Sequence, residues 1–92
     1  MRKSVLFICA DQWRFDCFSF LNHPYAHTPH LDKLAKQSVV FKSHFAGIVP
    51  CGPSRTTMLT GLYPFIHRSV YNGAPLDKRF TNIAKEVRKL NY

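Results

Sequence analysis

The feature that most constrains the fold is a continuous apolar run over residues 5–9, Val-Leu-Phe-Ile-Cys, rich in β-branched side chains. Such a run is typical of a strand covered on both faces, as in a parallel sheet. Asp11 and Gln12 follow almost directly, and ligands of open α/β sheets gather at the carboxyl ends of the strands. We therefore predict a central strand that delivers polar groups to a binding site.

A helix and a second strand are predicted next. Thr28 and Pro29 supply an N-cap and a first-turn proline, and apolar residues at three-and-four spacing extend the helix to about Gln37. Residues 39–46 favour a strand before Gly47 breaks the pattern. Strand, helix, strand in this order usually forms a parallel pair, so the predicted fold class is α/β.

Length limits what this fold can contain. The chain has 92 residues, enough for one small domain with a modest core, and its 46% hydrophobic content favours a globular chain. A parallel sheet needs several covered strands, and the pattern provides only about two. We therefore expect residues 1–92 to be an incomplete part of a larger domain.

The formal net charge of +8 could serve nucleic acid, an anionic membrane surface or an anionic small substrate, or be balanced elsewhere in a longer protein. The basic residues form no run of five, and no zinc-finger or RNA-recognition motif accompanies them. No stretch approaches the ~20 apolar residues of a membrane span. We predict a small anionic substrate, with neither nucleic acid nor membrane as partner.

The three cysteines, Cys9, Cys17 and Cys51, contain no Cys-x-x-Cys pair, so neither a disulfide framework nor a zinc ribbon is indicated. The first ten residues superficially resemble a signal peptide, but the apolar run is short and meets Asp11 instead of a small-residue cleavage site. We expect a reducing, cytoplasmic location.

Cys51 opens the segment Cys-Gly-Pro-Ser-Arg, and Thr-Gly follows at positions 60 and 61. Pro53 suits the first turn of a helix ending at Gly61, with Cys51 just before it. A nucleophile there faces unpaired backbone N–H groups and the positive end of the helix dipole, and Arg55 can hold an oxyanion. A lone cysteine is more often buried and inert; the whole pattern favours a reactive site.

After this helix, turn-forming residues predict an extended loop over residues 62–79, which contains His67 and Asn72. Thr81 predicts the N-cap of a last helix, whose apolar residues share one face. By itself the Asn-Gly pair that begins at Asn72 is typical of a turn.

The pattern from Cys51 to Gly61 resembles the signature of the sulfatases, which belong to the alkaline phosphatase-like superfamily. The resemblance is nearest to the branch of phosphonate monoester hydrolases and arylsulfatases. It implies that residues 1–92 are the N-terminal fragment of a sulfatase catalytic domain, an α/β/α sandwich with a mostly parallel central sheet, without a second domain. Such a fragment alone is expected to have little or no activity.

The resemblance also implies a cofactor set. A formylglycine-generating maturation enzyme would convert Cys51 to formylglycine, whose hydrated aldehyde has one hydroxyl to attack the ester and another whose deprotonation expels the product. Asp11, Gln12 and the modified Cys51 would bind one divalent cation, most consistent with calcium or manganese. Gln12 departs from the paired aspartates of many sulfatases. Read alone, Asp11 would more often be a cap or turn residue.

The remaining residues that the resemblance implicates are Arg55 as a catalytic residue and Asn72 and His67 as substrate-binding residues. His67 either contacts substrate or only braces the loop. The predicted function is metal-dependent hydrolysis of phosphonate monoesters or phosphodiesters. Two alternatives stay open: an arylsulfatase acting on sulfate monoesters, and a truncated, non-catalytic remnant or basic binding module with unmodified Cys51 and no metal.

Overall fold

The computed structural model describes residues 3–92, which divide into one compact unit ending at Lys42 and a second spanning Ser43–Tyr92. The regular elements of the described residues are a 3-10 turn and four α-helices. They are the 3-10 turn Ser19–Leu21, α1 (Pro29–Ala35), α2 (Cys51–Thr60), α3 (Pro64–His67) and α4 (Ile83–Lys89). None of these helices has the length and apolar character needed to cross a membrane.

The two predicted strands, residues 5–9 and 39–46, do not form, since no residue from 3 to 92 lies in a strand. Their side chains are exposed instead: Val5 is 83% exposed, Leu6 84% and Ile8 79%. A strand is defined by backbone hydrogen bonds to a neighbour, and neither segment has such a ladder among the described residues. The predicted parallel pair is therefore not formed among the described residues.

Helix α1 begins where Thr28 and Pro29 predict, and it ends at Ala35. Thr28, however, makes no capping hydrogen bond within the helix. Its hydroxyl accepts from the Ser19 backbone N–H at 3.0 Å, and the Thr28 N–H donates to the Ser19 Oγ at 2.9 Å. This reciprocal pair joins the 3-10 turn to α1.

Asp32 completes this junction. Its carboxylate accepts from the Ser19 Oγ at 2.7 Å, from the Thr28 Oγ1 at 3.0 Å and from the Phe20 N–H at 3.2 Å. The hydrogen bond from the Ser19 hydroxyl is the main reason that the pKa of Asp32 lies below its ordinary value, although partial desolvation opposes this shift. The hydrogen bonds from the Thr28 hydroxyl and the Phe20 N–H lower the pKa further. One carboxylate therefore ties the 3-10 turn to α1.

Helix α2 begins at Cys51, two residues earlier than Pro53 suggests, so Cys51 is its first residue. It ends at Thr60 as predicted, because Gly61 takes a left-handed conformation with φ 70° and its N–H donates to the Thr57 carbonyl at 2.8 Å. Helices α3 and α4 both contact α2.

The segment predicted as a loop over residues 62–79 contains α3, which ends where Arg68 turns left-handed at φ 57°. Pro64 occupies the first position of α3, where its missing N–H costs nothing. Helix α4 was predicted correctly, but its N-cap is Asn82, whose Oδ1 accepts from the Lys85 N–H at 3.1 Å.

The interior of the Ser43–Tyr92 unit is polar. Its fully buried side chains are His67, Ser69 and Pro53, and the described residues include no buried hydrophobic side chain. The modest apolar core expected from composition is therefore not formed, and a hydrogen-bonded cluster occupies the space between α2 and the segment after α3.

Candidate active site

Cys51 is an exposed free thiol at the first position of α2. Its Sγ lies 3.5 Å from the Oδ1 of Asn72, so the thiol donates to that side chain. Pro50, which precedes it, is extended and serves as the N-cap. The residue predicted as the nucleophile precursor and the residue predicted to bind substrate are therefore neighbours.

The orientation of the Asn72 amide is fixed by Gly52. The Gly52 N–H, which can only donate, points to the Oδ1 of Asn72 at 2.9 Å. Oxygen therefore faces the helix, and the Nδ2 amine is the donating side of the amide. A Cβ at position 52 would lie only 2.9 Å from the same Oδ1, so glycine is what lets Asn72 approach this closely.

The start of α2 offers fewer backbone donors than the sequence suggests. The Gly52 N–H is taken by Asn72, Pro53 has none, and the Ser54 N–H donates to the Pro50 carbonyl at 3.1 Å. The positive end of the helix dipole remains at Cys51. The Gly52 and Ser54 amides at the start of α2 are therefore already engaged within the protein.

Asn72 lies in a turn closed by the Ala74 N–H, which donates to the Tyr71 carbonyl at 3.2 Å, with Gly73 left-handed at φ 90°. The Ser69 Oγ donates to the Ala74 carbonyl at 3.1 Å. The turn predicted from the Asn-Gly pair is therefore present, and it coexists with the contact to Cys51.

His67 is 1% exposed, and both of its ring nitrogens are engaged. The Ser69 N–H donates to Nδ1 at 3.1 Å, so Nδ1 must be unprotonated and Nε2 carries the hydrogen. That Nε2 lies 2.9 Å from the Oγ1 of Thr57 on α2. The geometry supports the bracing role for His67, while contact with substrate stays a prediction.

Arg55 follows Cys51 by four residues on α2, which places both residues on one helix face, and it is exposed. The fork of donors in its guanidinium suits an oxyanion. Its catalytic role stays a prediction.

Asp11 and Gln12 belong to the unit ending at Lys42 and line an open cavity of about 390 Å³. Gln12 is left-handed at φ 54°, a conformation that non-glycine residues adopt mainly at turns and functional sites. The other residues lining this cavity are Trp13, Arg14, Cys17, Ala26, His27 and Thr28.

The donors of Asp11 and Gln12 are a carboxylate and an amide oxygen, which suit a hard divalent cation. Residues 3–92 contain no group of three or more His, Cys, Asp or Glu side chains that could hold a metal. Asp11 and Gln12 therefore fit part of a cation site and not a complete one.

The other four carboxylates have partners within their own units. Arg14 lowers the pKa of Asp16, and Ser19 that of Asp32. Arg79, 2.8 Å away, lowers the pKa of Asp77, and Lys89, also at 2.8 Å, lowers that of Glu86. These four carboxylates serve turns and helix ends.

Sequence reasoning missed Ser69, Thr56 and Thr57. Thr56 donates to the Gly52 carbonyl at 3.1 Å, and its hydroxyl lies 3.5 Å from that of Ser69. Small hydroxyl side chains are usually exposed, and no local pattern marks the few that are buried. Only the folded arrangement identifies them.

Comparison with known proteins agrees with the resemblance to the sulfatases. The family model described as Sulfatase matches residues 3–92. The chain is 44% identical over 96 residues to the multifunctional alkaline phosphatase superfamily protein PehA of Trinickia caryophylli, covering 99% of the chain and 19% of that protein. It is 35% identical over 88 residues to human N-sulphoglucosamine sulphohydrolase, covering 96% of the chain and 17% of that protein.

Among solved structures, the chain is similar to the phosphonate monoester hydrolase of Agrobacterium radiobacter, with a TM-score of 0.83 and 49% sequence identity. The match covers 90% of the chain and 16% of that structure. The chain therefore spans less than a fifth of the length of each of these three proteins.

Proposed function

Since this chain belongs to the sulfatase family, we propose that it is the N-terminal part of the catalytic domain of a metal-dependent hydrolase of phosphonate monoesters and phosphodiesters. The observation that carries this proposal is the contact of Cys51 with Asn72 at the start of α2. Likeness to a phosphonate monoester hydrolase at 49% identity supports the substrate class.

The proposal includes the fold. A TM-score of 0.83 to that hydrolase supports an alkaline phosphatase-like α/β/α sandwich. In such a sandwich the exposed apolar segments at residues 5–9 and 39–46 would be strands of the mostly parallel sheet, because only ladder partners and covering helices can bury them.

The formylglycine derived from Cys51 supplies, as its hydrate, a hydroxyl to displace the alcohol from phosphorus and a second hydroxyl whose proton loss releases the phosphonate and restores the aldehyde. Asn72 acts beside it by donating from Nδ2 to a non-bridging oxygen, because its Oδ1 is held by Gly52. Arg55 would bind another oxygen through its guanidinium.

Asp11 and Gln12 would provide oxygen ligands to one divalent cation. The cation, when bound, would lower the negative charge on the ester and favour a deprotonated oxygen nucleophile. Oxygen donors suit a hard cation such as calcium or manganese, and an amide in place of a second carboxylate removes one negative charge from the ligand set.

Mass spectrometry of the peptide that contains Cys51 tests the nucleophile directly. Conversion of the thiol to the aldehyde lowers the peptide mass by about 18 Da. Protein made beside a competent maturation enzyme is expected to show this loss. An intact thiol under those conditions argues for the alternative of a non-catalytic remnant or basic binding module.

An arylsulfatase is the second candidate, and the 34% identity to the arylsulfatase A of Bos taurus favours it. Both reactions act on tetrahedral anionic esters, so the same donors serve both. The ratio of kcat/KM for a phenyl phosphonate monoester to that for an aryl sulfate separates them. We expect the phosphonate to be hydrolysed faster, and a large ratio in favour of the sulfate reverses the assignment.

A further inference from the structure

Two polar side chains, His67 and Ser69, are each 1% exposed in a unit whose other fully buried side chain is Pro53. Burying a polar group costs free energy unless it is hydrogen-bonded, so their bonds determine what their burial achieves. His67 is the last residue of α3, and Ser69 lies in the segment that connects α3 to Asn72.

Their hydrogen bonds form a closed circuit that starts and ends on α2. The Nε2 of His67 bonds to Thr57 at 2.9 Å, and its Nδ1 accepts from the Ser69 N–H at 3.1 Å. Ser69 closes the following loop through its bond to the Ala74 carbonyl. Asn72, inside that loop, returns to α2 through Gly52.

We infer that His67 is a positioning residue: through Ser69 it holds the loop where Asn72 can bond to Gly52 beside Cys51. The two ring nitrogens have different roles. Nε2 bonds to Thr57 and fixes the ring on α2, whereas Nδ1 accepts from the Ser69 N–H and holds the loop. The effect on reaction rate rests on the proposed function, whereas the effect on the position of Asn72 does not.

Two amide substitutions separate the ring nitrogens. In His67→Asn, the side-chain oxygen falls near the place of Nδ1 and can accept from the Ser69 N–H. In His67→Gln, the longer side chain places its amine near Nε2, which keeps the bond to Thr57 and loses the bond to the loop. Glutamine fills more of the space left by the ring. If His67 only filled space, His67→Gln would therefore disturb the loop less than His67→Asn.

The full-length protein is the material for the test. The first measurement is hydrogen exchange of the Gly52 amide, which reports its bond to Asn72 without any need for activity. We expect protection close to wild type in His67→Asn and loss of protection in His67→Gln. Val70→Ala, a change in the same loop at a half-exposed side chain, is the matched control and should leave protection unchanged.

The second measurement is kinetic. Because a displacement of about 1 Å at a reacting group can cost up to ~100-fold in rate, we expect kcat to fall by about 10- to 100-fold in His67→Gln and by less than about 3-fold in His67→Asn. The Gly52 exchange and kcat should change together across the variants. A rise in KM with Gly52 protection unchanged would indicate direct substrate contact and overturn the inference.

Equal protection in the glutamine and asparagine variants, or greater protection with glutamine, also overturns it. If neither His67 variant folds, Ser69→Ala is the substitute, since it removes the bond to Ala74 and is expected to expose the Gly52 amide to exchange; retained protection contradicts the inference. Protection in the predicted order, with no ester hydrolysed even by wild type, supports the positioning role and counts against the proposed function instead.

Discussion

The Oδ1 of Asn72 accepts the backbone N–H of Gly52 at 2.9 Å, joining a loop to the start of a helix twenty residues away. The bond occupies the oxygen of the amide, which also lies 3.5 Å from the Sγ of Cys51, and leaves the amine as the donating side of Asn72. The polarity of one side-chain amide therefore decides what the site can bind, and several expected outcomes depend on it.

Substituting Asn72→Asp should keep the structure and remove the function. The carboxylate still accepts from Gly52, but it replaces the donating amine with a negative oxygen that repels an anionic ester. We expect kcat/KM to fall by about 10²- to 10³-fold while the Gly52 amide stays protected from exchange. Asn72→Ala is the comparison, and it should lose both the activity and the protection of the Gly52 amide. Activity retained in Asn72→Asp contradicts a donor role for Asn72.

Gly52→Ala should displace Asn72 without weakening α2. Alanine is better than glycine in a helix by up to about 1 kcal/mol, but its Cβ would lie 2.9 Å from the Oδ1 of Asn72. Because that oxygen ends a flexible side chain, it should move away and break its bond. We expect unchanged or higher thermal stability together with lower kcat.

The double variant Gly52→Ala, Asn72→Ala checks this explanation. With no oxygen to displace, the glycine replacement should cost nothing further in kcat beyond Asn72→Ala alone. An additive loss in the double variant points instead to a direct role of the backbone at position 52.

Cys51→Ser should allow the first step of the proposed reaction, displacement of the alcohol, and prevent the second, release of the product. Its hydroxyl can displace the alcohol from an ester, but it lacks the second hydroxyl on the same carbon that would release the product. We expect the acid portion of the substrate to remain covalently attached, seen as an added mass on the intact protein. Cys9→Ser, a change at a cysteine that does not line the cavity of Asp11 and Gln12, should leave turnover intact. Full turnover by Cys51→Ser excludes the formylglycine mechanism.

Acid should loosen the junction between the 3-10 turn and α1. The pKa of Asp32 is lowered from 3.8 by its hydrogen bonds to Ser19, Thr28 and Phe20. A carboxyl group whose folded pKa is depressed contributes stability that is present above its unfolded pKa and lost as the pH falls through the folded value. We therefore expect this junction to be intact above about pH 4 and to loosen as the pH falls further below 3.8.

The chemical shift of the Phe20 amide proton, which bonds to the Asp32 carboxylate, reports this transition in an NMR titration. Asp32→Asn should remove the acid step from the titration. Asp77→Asn, which alters a carboxylate in the other unit, should leave it in place. A Phe20 shift that titrates unchanged in Asp32→Asn would assign the step to another group.

The exposed apolar segments should make the 92-residue polypeptide bind a hydrophobic dye. Val5, Leu6 and Ile8 are all at least 79% exposed, which is an unusual density of apolar surface. We expect strong fluorescence of anilinonaphthalene sulfonate with the isolated polypeptide, reduced by the double substitution Leu6→Lys, Ile8→Lys. Absence of dye binding is the contrary result.

Local chemistry explains which elements could be predicted. Pro29 and Gly61 set helix limits through their own backbone preferences, so α1 begins and α2 ends where the sequence indicates. The N-cap of α4 was predicted one residue early, because Thr81 and Asn82 are both good caps and only the folded backbone selects Asn82.

Features that depend on partners distant in the sequence were predicted less well than the helix limits. The apolar run at residues 5–9 indicates burial, but burial requires a neighbour that the described chain does not provide. In the site, Cys51 and Asn72 were identified by pattern, whereas the bond between them depends on Gly52 leaving room. His67 was singled out, but its two partners, Ser69 and Thr57, carry no mark in the sequence.

The circuit through Thr57, His67, Ser69 and Asn72 has a kinetic consequence. Each of its links joins residues no more than twenty positions apart, so closing it costs little loop-closure entropy. Contacts of low sequence separation form early in folding. The arrangement around Cys51 should therefore be among the first parts of the Ser43–Tyr92 unit to assemble during folding.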